Sequence, residues 1–179
     1  DNIGGYVDGV IEIKGPKFSE LEVDLKTTGK LWSNKSINQN ENDIEPFAVT
    51  LRGPLQYGVG RFSITNIPLS LLSLFVPSPS AVSGMFGFVG KYRLGKNDSE
   101  VTADLIFNKV ALGKELLRLN RGMIVFSDSV LNVDMELQNN SSAEPISLIG
   151  QIPFSSSSPL NLRLDSHGDG IAFLDSFLD

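Results

Sequence analysis

The sequence predicts an all-β chain built on an elongated sheet with one apolar and one polar face. Three observations carry this. Over residues 100–138 apolar and polar residues alternate with few interruptions: Val101, Ala103, Leu105 and Phe107, then Leu131, Val133, Met135 and Leu137, with Thr102, Asp104, Asn132, Asp134 and Glu136 between them. A period of two puts each set on its own side of a sheet. The same alternation recurs along the rest of the chain, punctuated by Gly-Pro and other turn-forming pairs. Finally, the chain resembles itself. Residues 45–53 match residues 144–150 with two residues fewer in the second copy, and each copy is followed by two strand-like segments and a short amphipathic helix, at 67–75 and 171–178. Two such units, roughly 1–77 and 84–179, imply an elongated sheet in which each unit buries its face against its neighbours. The alternative is a closed β-sandwich whose apolar faces pack together.

The elements follow in order. Residues 5–14 set Val7, Ile11 and Ile13 against Asp8, Glu12 and Lys14, and Gly15-Pro16 ends the strand; Leu21, Val23 and Leu25 then alternate with Glu22, Asp24 and Lys26. Residues 33–45 are polar enough to predict a long exposed loop. Phe47, Val49 and Leu51 form the next strand, Gly53-Pro54 a turn, and Phe62 and Ile64 mark a further strand. The period then changes: Leu71, Leu72 and Phe75 suit a short helix starting at Pro68 and stopped by Pro77 and Pro79. A Pro/Ser stretch leads to a Gly-spaced strand over 84–94 with Phe86 and Phe88 on one face. Within the long alternating run, 113–120 reads as a helical turn or a strand connection and 122–126 as a strand. After a loop at 139–143, Ile146, Leu148, Ile152 and Phe154 alternate, residues 155–159 turn, and Leu160, Leu162 and Leu164 alternate again. A helical spacing of Ile171, Leu174 and Leu178 closes the chain.

Composition narrows the function classes. The chain has 179 residues, enough for one domain or two small ones, and a closed fold of this size would bury roughly 70% of its unfolded surface. Its net charge is -6 and its 15 basic residues are scattered, so no basic patch is evident in the sequence for a nucleic-acid backbone, and nucleic acid is excluded as the expected partner. The absence of cysteine removes disulfides, thiolate chemistry and Cys-based zinc sites. The sole histidine, His167, sits in a Gly-spaced turn pattern with no metal-ligand or triad motif around it, so neither catalysis, a metal nor a cofactor is expected. The carboxylates Asp8, Glu12, Asp104, Asp134 and Glu136 fall on the polar phase of strands and read as a solvated outer face. The start at Asp1, without a basic or apolar leader, is read as that of a piece of a larger protein whose anchor lies elsewhere. The longest apolar run, 67–76, is about half the length a bilayer requires.

Several stretches resemble the C-terminal region of the TamB family. They are Gly90-Lys91-Tyr92-Arg93-Leu94-Gly95, the strand from Val101 to Asn108, Leu119-Asn120-Arg121-Gly122-Met123-Ile124-Val125-Phe126, the run Gly150-Gln151-Ile152-Pro153-Phe154, and the Pro-Leu-x-Leu-Leu-x-x-Phe form at Pro68 to Phe75. The resemblance implies a curved β-sheet trough, a half-pipe of "β-taco" type, with an apolar concave face and one or two short helices. It implies one segment of a protein anchored in the inner membrane, reaching across the periplasm or an intermembrane space, and working with an Omp85-class outer-membrane barrel. In such relatives phospholipid acyl chains are thought to move along the trough. An alternative role it implies is scaffolding of outer-membrane protein assembly or translocation through the sheet edge.

The residues themselves are compatible with a trough. The expected lining is Ile11, Ile13, Leu21, Val23, Leu25, Phe47, Val49, Leu51, Phe62, Ile64, Phe86 and Phe88 in the first half. Val101, Ala103, Leu105, Phe107, Leu131, Val133, Met135, Leu137, Ile146, Leu148, Ile152, Phe154, Leu160, Leu162 and Leu164 complete it. None of these is charged. Each acyl methylene taken out of water on such a face gains about 0.8 kcal/mol. Open sheet edges would also allow edge-to-edge self-association.

Overall fold

The structure is a computed structural model and describes residues 3–33, 45–74, 82–96, 98–140, 144–154 and 159–166. Ten strands form one antiparallel sheet in chain order: β1 (Ile3–Lys14), β2 (Glu22–Ser33), β3 (Phe47–Pro54), β4 (Gly58–Pro68), β5 (Val82–Leu94), β6 (Ser99–Leu112), β7 (Glu115–Ser127), β8 (Val130–Asn139), β9 (Ile146–Pro153) and β10 (Asn161–Ser166). Every strand pairs with its neighbours in sequence, and β1 and β10 are the free edges. The sheet is open, and no second sheet covers it among the described residues, so the sandwich alternative is not the fold adopted.

Local chemistry explains most boundaries. Gly15 breaks the first ladder, and a single 3-10 turn at Phe18–Glu20 returns the chain into β2. Asp128 and Ser129 both have positive φ (50° and 61°), the two-residue hairpin geometry whose twist matches that of the flanking strands. Gly113, with φ 62°, sits at the β6–β7 turn. Four expectations change here. The strand β3 continues through Gly53 to Pro54 and turns afterwards, because Gly53 stays in register with Val23. Of residues 113–120 only Gly113 and Lys114 form the turn, a strand connection, and β7 begins at Glu115. The helix expected from Pro68 is a 3-10 turn at Leu69–Leu74, while Pro68 still pairs with Met85 as the last residue of β4. Ser33, placed in a loop by its polarity, ends β2. Residues 34–44 of that loop, His167 and the helix at 171–178 lie outside the described residues.

The two matching segments become β3 and β9. Both are eight residues long, both follow Glu-Pro, both end in Pro, and their burial runs identically residue by residue. They therefore align without the two-residue gap. The first unit holds four strands and the second six.

The sheet is rolled. Leu112 of β6, Ile146 of β9, Val82 of β5 and Leu117 of β7 form one cluster. In a flat sheet three strand spacings would set Leu112 and Ile146 about 14 Å apart. Bulges assist the roll, since each adds a residue to one strand and increases local twist. They interrupt register between Ile64 and Ile67, between Ser83 and Met85, and between Leu119 and Arg121. Positive φ at Asn66 (57°), Gly84 (101°) and Lys109 (52°) marks the same region.

Candidate functional site

Following the register across the sheet gives the two faces directly, because residues opposite one another in a ladder point to the same side. One row runs Ile11, Leu25, Leu51, Phe62, Gly90, Ala103, Ile124, Val133, Gly150, Leu162, from the first strand to the last. All ten are apolar. The adjacent row on the other side runs Glu12, Asp24, Arg52, Arg61, Lys91, Thr102, Val125, Asn132, Gln151, Asn161, with one apolar member.

The pairings place the expected lining residues within the strands on the first face; Leu21, Phe154 and Leu160 continue it by alternation just outside strand ends. Asp8, Glu12, Asp104, Asp134 and Glu136 fall on the opposite one. Cover over the apolar face is deepest in the middle and thin at the ends. Among the described residues every buried hydrophobic lies on it, including Val23, Phe47, Ala103 and Val133, yet none is sealed below 2% exposure. Toward the edges Ile11 is 65% and Leu164 54% exposed. Leu105, Phe107 and Met135 are half-buried, and Val133 is buried by neighbours within its own sheet. Among the described residues the face is a wall without a lid.

Aromatic rings fill this surface where glycine makes room. Phe47 lies directly opposite Gly29, Phe62 opposite Gly90 and Tyr92 opposite Gly60. A Cβ at Gly29 would stand 2.7 Å from Phe47 Cε1, one at Gly90 2.9 Å from Phe62 Cζ, and one at Gly60 would overlap the Tyr92 ring. The Tyr92 hydroxyl donates to the Pro54 carbonyl at 3.0 Å, and burial raises its pKa above the ordinary tyrosine value. Phe86 and Phe88, and Phe126 and Phe154, meet edge to face at 5.5 Å.

The sequence reading missed Tyr92, Val110, Leu112, Leu117, Leu119, Ile124 and Phe126, all on this face. A bulge explains four of them. Phe107 and Val110 share the face despite opposite parity because Lys109 is in the left-handed region, and Leu119 and Gly122 do so across the bulge at Asn120. A period of two cannot be followed through an inserted residue.

Those bulges open a seam in the wall. The β6–β7 ladder is interrupted between the Asp104–Met123 and Ala111–Leu116 pairs. A hollow of about 440 Å³ lies there, lined from the apolar side by Leu105, Phe107, Val110, Leu117 and Leu119 and from the other by Ile106, Leu116 and Arg118. Beside it, Asn66 donates to the Pro46 carbonyl (3.2 Å), while Asn108 and Lys109 donate to the Glu45 carboxylate (3.1 and 3.3 Å).

Among the residues paired in the ladders, charge lies on the other face, apart from Glu115 at the β6–β7 turn, which the register puts on the apolar side. At the outer end, Lys14 donates to Glu12 at 2.6 Å; this contact lowers the Glu12 pKa and raises that of Lys14. Among the described residues no three His, Asp or Glu side chains are grouped to hold a metal ion, and no helix is long and apolar enough to cross a membrane. Compared with known proteins, the chain matches no family model, no curated protein and no solved structure.

Proposed function

We propose that the chain is a segment of a conduit that shields phospholipid acyl chains between two membranes, in the periplasm or an intermembrane space. The observation that supports this best is the unbroken apolar row from Ile11 to Leu162, with no layer of protein over it among the described residues. A soluble domain that needs such a face only for its own core would cover it, since exposed apolar surface on this scale is costly in water. Ten methylenes moved onto the wall would gain roughly 8 kcal/mol, and these contacts are non-directional, so a chain held by them can slide. The test is photo-crosslinking in membranes. A photoreactive residue at Leu105 or Val133 is expected to capture phospholipid, and capture from Asp104 alone would defeat the reading.

The free edge supports a second role. β1 is twelve residues long, and its residues from Gly5 onward are exposed, so its unpaired backbone can accept an added strand from a partner such as an Omp85-class barrel or a second copy of the chain. Proline substitutions at outward-donating positions of β1 are expected to abolish that pairing while lipid capture at Leu105 persists. Loss of both together would leave only a folding defect.

A further inference from the structure

The outer face carries a feature the apolar wall does not explain. Arg52, Arg61 and Lys91 occupy directly opposed positions on β3, β4 and β5, three cations in one ladder row. At the usual strand spacing they span about 10 Å. All three are exposed. Like charges set directly opposite one another across strands destabilise a sheet. The fold does not require them, since any polar residue satisfies a solvated outer position.

Of the three, only Arg52 has an ion pair among the described residues, and it shares that partner. Asp24, next in the row, lies 3.9 Å from Arg52 and also 3.7 Å from Lys26. Asp98 and Glu100 are engaged with Arg93 at 3.3 and 3.8 Å. Thr102 follows Lys91 in the row, and Asp104, two residues further along β6, makes no ion pair with it. Among the described residues Arg61 and Lys91 therefore have no counter-charge, in a chain whose net charge is -6.

Apolar side chains flank the row on the same face. Val59, two residues before Arg61, is 61% exposed, and Val89, two residues before Lys91, is 41% exposed. A dissolved phosphate would use the cations and gain nothing from the valines. A bilayer surface uses both, phosphates against the cations and the headgroup–acyl boundary against the valines.

We propose that the Arg52–Arg61–Lys91 row docks the outer face of the sheet on an anionic phospholipid bilayer. The site lies on the side opposite the apolar wall and stands whether or not that wall carries lipid.

Vesicle flotation tests it. The probes are vesicles of phosphatidylcholine alone and of phosphatidylcholine mixed with phosphatidylglycerol, each with the full chain. The wild type is expected to prefer the phosphatidylglycerol vesicles, less so as salt rises. Each cation near an anionic surface contributes about fivefold, so Arg61→Gln with Lys91→Gln is expected to weaken that preference by about twenty-five-fold. Lys26→Gln, which removes a lysine already facing Asp24, is expected to change it little. The charge-conserving pair Arg61→Lys with Lys91→Arg keeps the preference and guards against a folding artefact. No preference in the wild type, an unchanged preference in the double Gln variant, or loss in the charge-conserving pair would each overturn the proposal. So would competition by dissolved glycerophosphoglycerol at headgroup-equivalent concentration, which would mark a free-anion site. Lipid capture at Leu105 is read separately, so either reading can fail alone.

Discussion

Leu112 on β6 and Ile146 on β9 belong to one buried cluster although two whole strands lie between them in the sheet. Their meeting is the direct sign that the sheet is rolled, and it is measurable. Leu112→Ala and Ile146→Ala are each expected to cost about 2–4 kcal/mol in denaturant unfolding. The double variant is expected to cost less than the sum by at least about 0.5 kcal/mol, because the two sites share a cavity. Strict additivity would mean that the two side chains do not touch.

Gly60 and Tyr92 make a second measurable pair. A Cβ at Gly60 overlaps the ring, so Gly60→Ala is expected to destabilise by about 1–3 kcal/mol, the range for overpacking. Combining it with Tyr92→Leu, which removes the ring from that space, should recover part of the loss. Equal damage from Gly60→Ala with and without the tyrosine would locate the strain elsewhere.

The Tyr92 hydroxyl gives a pH test. Burial raises its folded pKa above the ordinary value of 10.0, so the neutral phenol is the form the fold favours. The stabilisation is fully present below the unfolded pKa and is lost as pH rises through the folded one, a window that opens above pH 10. Tyr92→Phe is expected to cost about 1 kcal/mol at neutral pH, through the lost bond to Pro54, and to reduce the fall in melting temperature within that window. An unchanged alkaline limb would assign that limb to other groups.

At the β7–β8 hairpin Ser129 holds φ at 61°, where a side chain is strained and glycine is not. Ser129→Gly is expected to raise stability by about 0.5–1 kcal/mol, since an Asp-Gly pair suits this turn. The backbone carbonyl of Ser129, which accepts from the Phe154 amide at 2.8 Å, is untouched by the change. A drop in melting temperature would contradict the turn geometry.

Much of the wall was legible because one physical rule governs it. In β1 and β2 on either side of their turn, and again from Leu131 to Leu137, each second residue faces the same way, and a period of two reads that without reference to the rest of the chain. Legibility ended where the backbone inserts a residue. Val110 and Leu112 are among the best buried side chains, yet Lys109 puts them out of phase with Phe107, and only Asn66, Gly84 and Asn120, residue types that tolerate bulges, hint at the break. Tyr92 was hidden for a different reason: it stands between Lys91 and Arg93, and its burial depends on Gly60, 32 positions earlier in the numbering. The roll itself was not written in any local pattern. It arises from which side chains meet across several strands, as Leu112 and Ile146 do.

The order of the strands has a consequence for how the chain assembles. Because each strand pairs only with the one before and the one after it, the sheet can zip up hairpin by hairpin as the polypeptide emerges, without waiting for distant segments. The last strand laid down is always the template for the next. Length is therefore an adjustable dimension of this architecture: inserting one hairpin would widen the wall by about 10 Å and leave every existing pair in place.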